Sequence, residues 1–212
     1  MASVTRKQQS TRTGRRDEMR DRLLIDVEQL IADGASYTEL SVERLASIAG
    51  VSRSTFYVYF EDKSELLRAW FGEIIGQVGG AARRWWTLPG DATREDLHAA
   101  LQHLVATYRP HALLMAAVVD ASGYDPAVRA AVAEMMRGNT AGLRKHIREG
   151  QRAGSVDPDL RPAETASWLT WMAERGLHQL IRGASDPEVD RLVEAYTDIV
   201  WKTLYVGAPS RR

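Results

Sequence analysis

Apolar side chains recur along this chain at spacings of three and four residues, the pattern of helices that bury one face. No segment keeps the strict alternation of apolar and polar residues that is typical of a half-buried β-strand. The pattern therefore predicts an all-α fold of about nine helices. The predicted helices occupy residues 17–33, 42–49, 53–59, 63–78, 93–108, 111–120, 126–153, 163–182 and 188–205.

The start and the end of the fourth predicted helix are both marked by particular residues. Asp62 followed three residues later by Glu65 resembles a capping box, which satisfies free backbone N–H groups at a helix start. Gly79 and Gly80 are poor helix formers. The sequence therefore predicts a helix that begins near residue 63 and is interrupted near residue 79.

Residues 41–57, which read SVERLASIAGVSRSTFY, predict two short helices joined by a tight turn. Ser41 and Ser52 are placed to cap the two helices, and Gly50 permits the chain reversal between them. This spacing fits a helix-turn-helix, in which small polar residues at the start of the second helix enter the major groove. A plain αα-hairpin with two serine caps fits the same spacing, so the spacing alone leaves both alternatives open.

The side chains around the start of the third helix carry the chemistry that DNA recognition needs. Arg53 can form a bidentate contact with guanine, and Thr55 can meet a thymine methyl group or a base edge. Tyr57, one turn further on, and Lys63, at the next helix start, are better placed for phosphate.

The run VSRSTFYVYF at residues 51–60, with Lys63 and Leu66 after it, resembles the signature of the TetR family of bacterial transcriptional regulators. The family pattern is Val-Ser-x-Gly-Thr-Leu-Tyr-x-His-Phe, followed by x-x-Lys-x-x-Leu. Ser54 and Tyr59 stand where the family has Gly and His.

The resemblance implies roles for particular residues and for the last two helices. It implies that Tyr57 and Lys63 anchor phosphates while Arg53, Ser54 and Thr55 face bases. It also implies a homodimer formed through residues 163–182 and 188–205. The complete predicted DNA-binding set is Arg53, Ser54, Thr55, Tyr57, Lys63, Ser52, Thr38 and Ser41.

Charge and composition divide the chain into three predicted parts. Residues 1–16 carry five bases and no acid, which predicts a flexible basic arm. Residues 17–63 form the predicted helix-turn-helix domain, and residues 64–207 form a helical ligand-binding and dimerisation domain. The net charge of the whole chain is zero, and residues 23–70 hold eight acids against four bases, so only the arm offers a general attraction to DNA.

Aromatic and methionine residues of the C-terminal part suggest an apolar ligand pocket, for which Glu174, Arg175, His178 and Gln179 are candidate polar contacts. The alternative is that these apolar residues are core or dimer contacts. Residues 171–175 resemble a Met-Asn-Glu-Arg stretch in the ligand tunnel of one TetR-family repressor, but Ala173 stands in place of that Asn. The predicted pocket residues are Trp85, Tyr108, Met115, Tyr124, Met136, Trp168, Trp171, Met172 and Arg175.

The sequence offers little support for catalysis or for metal binding. The chain has no cysteine, which excludes disulfides, thiolate metal sites and cysteine nucleophiles. It carries no metalloprotease, serine hydrolase or phosphate-loop motif, and its five histidines lack ligand spacing. We therefore expect no cofactor, no metal and no enzymatic activity.

The longest apolar run, residues 112–119, is shorter than the roughly 20 residues of a membrane-spanning helix. We therefore expect a cytoplasmic protein without a membrane partner. Together these observations predict a homodimeric transcriptional regulator, most simply a repressor that a small apolar molecule releases from a palindromic operator. The rival hypothesis is an all-α protein that binds a small molecule or a partner protein and whose helix-turn-helix domain does not read DNA. An enzyme is the third hypothesis.

Overall fold

A computed structural model describes the backbone of residues 2–205 and the side chains of residues 14–205. All regular elements within residues 2–205 are helical, which confirms the predicted fold class. Two 3₁₀ turns, Tyr37–Glu39 and Arg109–His111, and one π-helical turn, Leu177–Ile181, connect longer helices. The helices are α1 (Ala2–Ala32), α2 (Val42–Ile48), α3 (Arg53–Tyr59), α4 (Lys63–Trp86), α5 (Arg94–Tyr108), α6 (Ala112–Ser122), α7 (Pro126–Ala153), α8 (Pro162–Gly176) and α9 (Asp186–Leu204).

Helix α1 begins much earlier than the hydrophobic pattern predicts. Residues 2–16, which belong to the predicted flexible basic arm of residues 1–16, continue the helix. Extending an existing helix costs less free energy than nucleating a new one. A polar segment can therefore continue a helix whose adjoining residues are stabilised by packing. The basic side chains at positions 6, 7 and 12 lie outside the described side chains. Arg16 is described: its guanidinium pairs with Glu65 at 2.6 Å and lies 5.1 Å from the ring centre of Phe60.

Helix α4 runs without a break through Gly79 and Gly80, so the predicted interruption is wrong. Glycine in a helix interior costs about 1 kcal/mol relative to alanine. The neighbouring side chains Val78, Ala81 and Trp85 are buried, and their burial offsets this cost.

The described residues group into two compact units. The first contains residues up to Glu73 together with Leu113–Arg129, and the second contains Ile74–Ala112 and the residues from Ala130 onward. The first unit therefore extends past residue 63, the predicted end of the DNA-binding domain. It also takes in most of α6 and the start of α7.

Buried aromatic side chains hold the first unit together. The rings of Tyr37 and Trp70 meet edge to face, with their centres 6.0 Å apart. The indole Nε1–H of Trp70 donates to the carbonyl of Arg20 over 2.9 Å, and the hydroxyl of Tyr37 donates to the carbonyl of Lys63 over 2.7 Å. These bonds tie α1 and the 3₁₀ turn to α4, and so fix the position of the start of α4 relative to the preceding helices.

Helices α5 and α9 of the second unit are joined near both ends. Arg94 at the start of α5 contacts Asp198 in the second half of α9 at 2.7 Å. Arg109, at the other end of α5, contacts Asp186 at the start of α9 at 2.5 Å. The two helices therefore run antiparallel. Their apolar faces share one core, whose fully buried members include Leu97, Leu143, Ile147, Val156, Ala166, Val200 and Leu204.

Candidate functional site

Helices α2 and α3 form the predicted helix-turn-helix. The hydroxyl oxygen of Ser41 accepts the N–H of Arg44 over 3.2 Å, and that of Ser52 accepts the N–H of Thr55 over 3.1 Å, so both serines cap their helices. Between the helices, Gly50 has a φ of 67°, in the left-handed region where a side chain would be strained. Both caps and the glycine turn agree with the sequence prediction.

The first turn of α3 presents polar side chains to solvent while its apolar face is buried. Ser52, Arg53 and Ser54 are exposed, whereas Phe56 is completely buried. The Ser52 hydroxyl lies 2.8 Å from the hydroxyls of both Ser54 and Thr55, which orders this polar edge. An exposed polar first turn on a firmly packed helix is the arrangement that enters a major groove in helix-turn-helix proteins.

Arg53 contacts a partner that the sequence pattern does not predict. Its Nη1 atom lies 2.5 Å from a carboxylate oxygen of Glu43 on α2. Its Nη2 atom lies 3.4 Å from the Tyr57 hydroxyl, and its guanidinium carbon lies 5.6 Å from the centre of the Tyr57 ring. The hydrogen bond with Tyr57 and the charge of Glu43 both raise the pKa of Arg53. No helical spacing links positions 43 and 53, so only the packing of α2 against α3 reveals this pair.

Lys63 is engaged by the main chain of its own unit. Its ammonium donates to the carbonyl oxygen of Thr38 over 2.5 Å and to that of Leu40 over 3.0 Å. The Thr38 hydroxyl in turn lies 2.7 Å from the hydroxyl of Ser36. Since an ammonium has three N–H donors, these bonds leave one donor for a phosphate. Thr38 and Lys63 therefore lie together, at the start of α4.

The structure does not gather the predicted pocket residues into one cluster. Trp85, Tyr108 and Met136 are buried in the second unit, whereas Met115 is buried in the first. The other five are exposed: four of them lie on a stripe of α8 that faces solvent, and Tyr124 lies between α6 and α7. The exposed members are Tyr124, Trp168, Trp171, Met172 and Arg175.

The second unit contains an apolar cavity of about 180 Å³ formed by α5, α8, the π-helical turn and α9. Of the predicted pocket residues, all of which have described side chains, Met172 alone lines it. Ala173 also lines it, and the Tyr196 hydroxyl donates to the carbonyl of Leu169 over 2.9 Å. This volume is smaller than the roughly 300 Å³ at which drug-sized ligand sites begin.

The predicted polar contacts lie mainly at the C-terminal end of α8. One carboxylate oxygen of Glu174 is buried and accepts no hydrogen bond, while Arg175 Nε lies 3.8 Å from it. Tyr108 is buried in the same unit; burial, with a smaller contribution from the charge of Glu174, raises the pKa of Tyr108 to about 12. His178 is buried and Gln179 is exposed. The charge of Glu174 therefore acts on the hydroxyl of Tyr108.

Large apolar side chains are exposed on α8, the π-helical turn and α9. Trp168 is 75 % exposed and Trp171 is 51 % exposed. Met172, Leu180 and Ile199 are also exposed and line the cavity described above. An apolar surface of this kind is typical of a contact with another molecule. We call these five side chains the α8–α9 apolar face.

Neither a metal site nor a membrane span occurs in the described part of the chain. Among the side chains of residues 14–205, no group of His, Asp and Glu is arranged to hold a metal ion. Within residues 2–205, no helix is long and apolar enough to cross a membrane.

Comparison with protein families supports the interpretation of both units. Residues 29–70 match the family model of bacterial regulatory proteins of the tetR family, and residues 97–206 match the C-terminal domain of the transcriptional regulator EthR. The second match alone covers more than half of the chain. The chain belongs to the TetR family of bacterial transcriptional regulators. The match to the EthR C-terminal domain is consistent with the resemblance noted for residues 171–175.

Individual relatives agree with this TetR-family assignment. The regulator EthR of Mycobacterium tuberculosis H37Rv is 29 % identical over 195 residues, which cover 87 % of this chain and 86 % of EthR. The structure of PfmR, a TetR-family regulator from Thermus thermophilus, matches with a TM-score of 0.69 at 17 % identity, covering 86 % of this chain and 98 % of PfmR. A transcriptional regulator from Saccharomonospora viridis, solved in complex with choline, matches with a TM-score of 0.67 at 20 % identity, covering 89 % and 98 %.

The TetR-family model describes bacterial regulatory proteins, and EthR is a helix-turn-helix transcriptional regulator. Regulation of transcription rather than catalysis is therefore the activity of this family, as the sequence predicts.

Proposed function

We propose that this TetR-family protein is a ligand-responsive repressor that binds a palindromic operator through one helix-turn-helix per subunit. The exposed polar first turn of α3, which includes Arg53 and Ser54, supports the proposal, because this is the part of a helix-turn-helix that reads base edges. The proposal keeps the roles that the sequence predicts for three further residues: Thr55 faces bases, and Tyr57 and Lys63 contact phosphate. A regulator of this kind acts on the chromosome, in the cytoplasm.

We propose that the protein binds DNA as a homodimer formed through the α8–α9 apolar face. Trp168 and Trp171 would lose most of their exposed area against a second copy, and burial of apolar area is the main favourable contribution to such association. The two-fold symmetry of such a dimer matches the symmetry of a palindromic operator, with half-sites about one helical turn of DNA apart or a multiple of it.

We propose that binding of a small apolar molecule releases the protein from DNA. The cavity formed by α5, α8 and α9 is lined almost wholly by apolar side chains, which suits such a ligand. The Saccharomonospora viridis regulator holds a small molecule, choline, on a similar fold. A ligand can act as a switch only if it binds the DNA-competent and released states with different affinity.

Fluorescence anisotropy with duplex DNA from immediately upstream of the protein's own gene tests DNA recognition. We expect saturable binding at nanomolar protein that survives scrambled competitor DNA at two salt concentrations. Weak binding that is equal on both duplexes and vanishes at the higher salt would contradict the proposal. Octanol and dodecanol, added to the preformed complex, then test the apolar switch: release by either supports it, and binding of both without release contradicts it.

One observation favours the rival function, in which the helix-turn-helix domain no longer reads DNA. Both cations of the predicted DNA contact are already engaged: Arg53 contacts Glu43, and Lys63 contacts two backbone carbonyls. The acidic excess of residues 23–70 also weakens general attraction to phosphate. Under this rival, the anisotropy experiment gives only weak, salt-sensitive binding, while the small molecule still binds the second unit.

A further inference from the structure

The contact between Glu43 and Arg53 joins the two helices of the helix-turn-helix at its exposed edge. Arg53 is the one basic residue within α3, whose sequence is RSTFYVY. Its side chain is more than half exposed and therefore has room to adopt many rotamers. An arginine with many rotamers loses conformational entropy when it binds a base, so anything that restricts it beforehand reduces this cost.

Glu43 lies in the first turn of α2, which Ser41 caps. The nearby backbone N–H and Ser41 side chain, together with the charge of Arg53, lower the pKa of the Glu43 carboxyl. Glu43 therefore presents a negative charge to Arg53 from the first turn of a capped helix.

The Arg53 contacts leave the guanidinium able to read a base. Glu43 takes a donor of Nη1, and Tyr57 lies beside Nη2. A guanidinium has five N–H donors in a planar fork, and guanine needs two of them for its O6 and N7 atoms. The contact with Glu43 can therefore persist while Arg53 binds guanine.

We propose that Glu43 is a positioning residue that holds Arg53 in the orientation needed to read a guanine in the operator. This inference rests on the proposed DNA-binding function. Glu43 contributes specificity rather than affinity, because its exposed negative charge also repels the nearby phosphates. An exposed ion pair adds little to folding stability, so its value lies in the orientation of Arg53.

Two substitutions separate the charge of Glu43 from its position. Glu43→Gln removes the charge, so total DNA affinity rises while discrimination at one guanine falls. Glu43→Asp keeps the charge but shortens the side chain by one methylene group and draws the carboxylate away from Arg53. We expect Glu43→Asp to lose discrimination at the same guanine without the gain in total affinity. Glu39→Gln, which neutralises an exposed acid of the 3₁₀ turn, is the matched control for charge.

The experiment begins with selection of bound sequences from a randomised duplex pool by the full-length protein. Anisotropy then measures binding of each variant to the selected duplex and to its single base-pair substitutions. Arg53→Ala should lose about 5- to 140-fold of discrimination at one guanine. Glu43→Gln should reduce discrimination at that same position by at least about twofold. In a protein that already carries Arg53→Ala, Glu43→Gln should cause no further loss of discrimination. Thermal unfolding of each variant checks that the helix-turn-helix domain remains folded.

The outcomes distinguish this inference from the proposed function. If the unsubstituted protein selects no sequence, the proposed function fails and this inference fails with it. If the protein selects a sequence and Arg53→Ala relaxes it, but both Glu43 variants discriminate as well as the unsubstituted protein, this inference alone is overturned. The inference is also overturned if Glu43→Gln reduces discrimination equally in the unsubstituted protein and in the Arg53→Ala variant, because Glu43 would then act independently of Arg53.

Discussion

The carboxylate of Asp125 lies 3.8 Å from the guanidinium of Arg68, which joins the start of α7 to the first half of α4. The same carboxylate accepts the backbone N–H groups of Ala127 over 2.8 Å and of Val128 over 3.1 Å, so Asp125 also caps α7. These contacts explain why the start of α7 belongs to the unit that carries the helix-turn-helix. The unit that carries the helix-turn-helix is therefore larger than the predicted DNA-binding domain of residues 17–63.

Asp125→Ala should destabilise the protein by about 0.5–2 kcal/mol, the usual cost of losing a helix cap. A hydrogen bond from Ser64 and the bonds at the start of α7 hold the pKa of Asp125 below its usual range. A carboxyl group with a lowered pKa stabilises the fold above its unfolded-state value, about 3.9, and this contribution is lost as the pH falls through the folded-state pKa. Urea unfolding at neutral pH and in acid measures both effects. Asp26→Ala, at an exposed position of α1, is the control; equal losses in the two variants would contradict the assignment.

Replacement by phenylalanine should affect a different property at each of two tyrosines of the first unit: folding stability at Tyr37 and DNA binding at Tyr57. Tyr37→Phe removes the part-buried hydrogen bond to the carbonyl of Lys63, which should cost about 0.5–1.5 kcal/mol of stability. Tyr57→Phe, at a side chain that is 44 % exposed, should leave stability unchanged and weaken binding to all DNA sequences alike. Thermal unfolding and anisotropy on specific and scrambled duplexes give the two readouts. A stability loss at Tyr57 without any effect on DNA binding would remove Tyr57 from the proposed interface.

Placing a charge in the α8–α9 apolar face should convert dimers into monomers. Leu180→Arg or Ile199→Arg would bury an unpaired charge in the proposed interface, which is strongly unfavourable. Ile25→Arg is the matched control, because Ile25 is 71 % exposed on α1, outside this face. Sedimentation velocity measures the mass in solution. Dimers that persist in both face variants, or a monomeric unsubstituted protein, would contradict the proposed interface.

His146 should make the second unit less stable in mild acid. Its Nε2 lies 2.8 Å from the Tyr205 hydroxyl and its Nδ1 lies 3.2 Å from the carbonyl of Trp86; burial lowers the pKa of His146. The unfolded chain then binds a proton more readily than the folded chain, so stability falls as the pH drops below about 6.5. The slope for one such group is at most about 1.4 kcal/mol per pH unit.

Unfolding midpoints between about pH 5 and pH 8 test this prediction, since this range spans the usual histidine pKa. His146→Gln should flatten the pH dependence, because glutamine can still donate to the carbonyl of Trp86 but does not titrate. The same substitution at His103, which is not buried, serves as the control. Parallel curves for the unsubstituted protein and His146→Gln would show that His146 does not set the acid sensitivity.

Features whose physical causes lie within a few residues along the chain could be predicted from the amino-acid sequence. Periodic apolar residues located the helices, and Ser41 and Ser52 each bond a backbone N–H three residues onward, as their positions indicate. The Asp62 cap follows the same rule, since its carboxylate accepts the N–H of Glu65 over 2.6 Å. The Glu65 carboxylate, by contrast, bonds the N–H of Glu61 instead of closing the predicted box.

Features that depend on which helix faces meet could be seen only in the folded chain. Positions 43 and 53 are paired because α2 packs against α3, and Lys63 reaches the carbonyl of Thr38 because the 3₁₀ turn lies beside the start of α4. Likewise, Trp168 and Trp171 have the hydrophobicity of core residues and yet are exposed. A helical stripe indicates which side chains share a face, but whether that face meets the chain's own core, solvent or a second copy is set by the packing of the other helices.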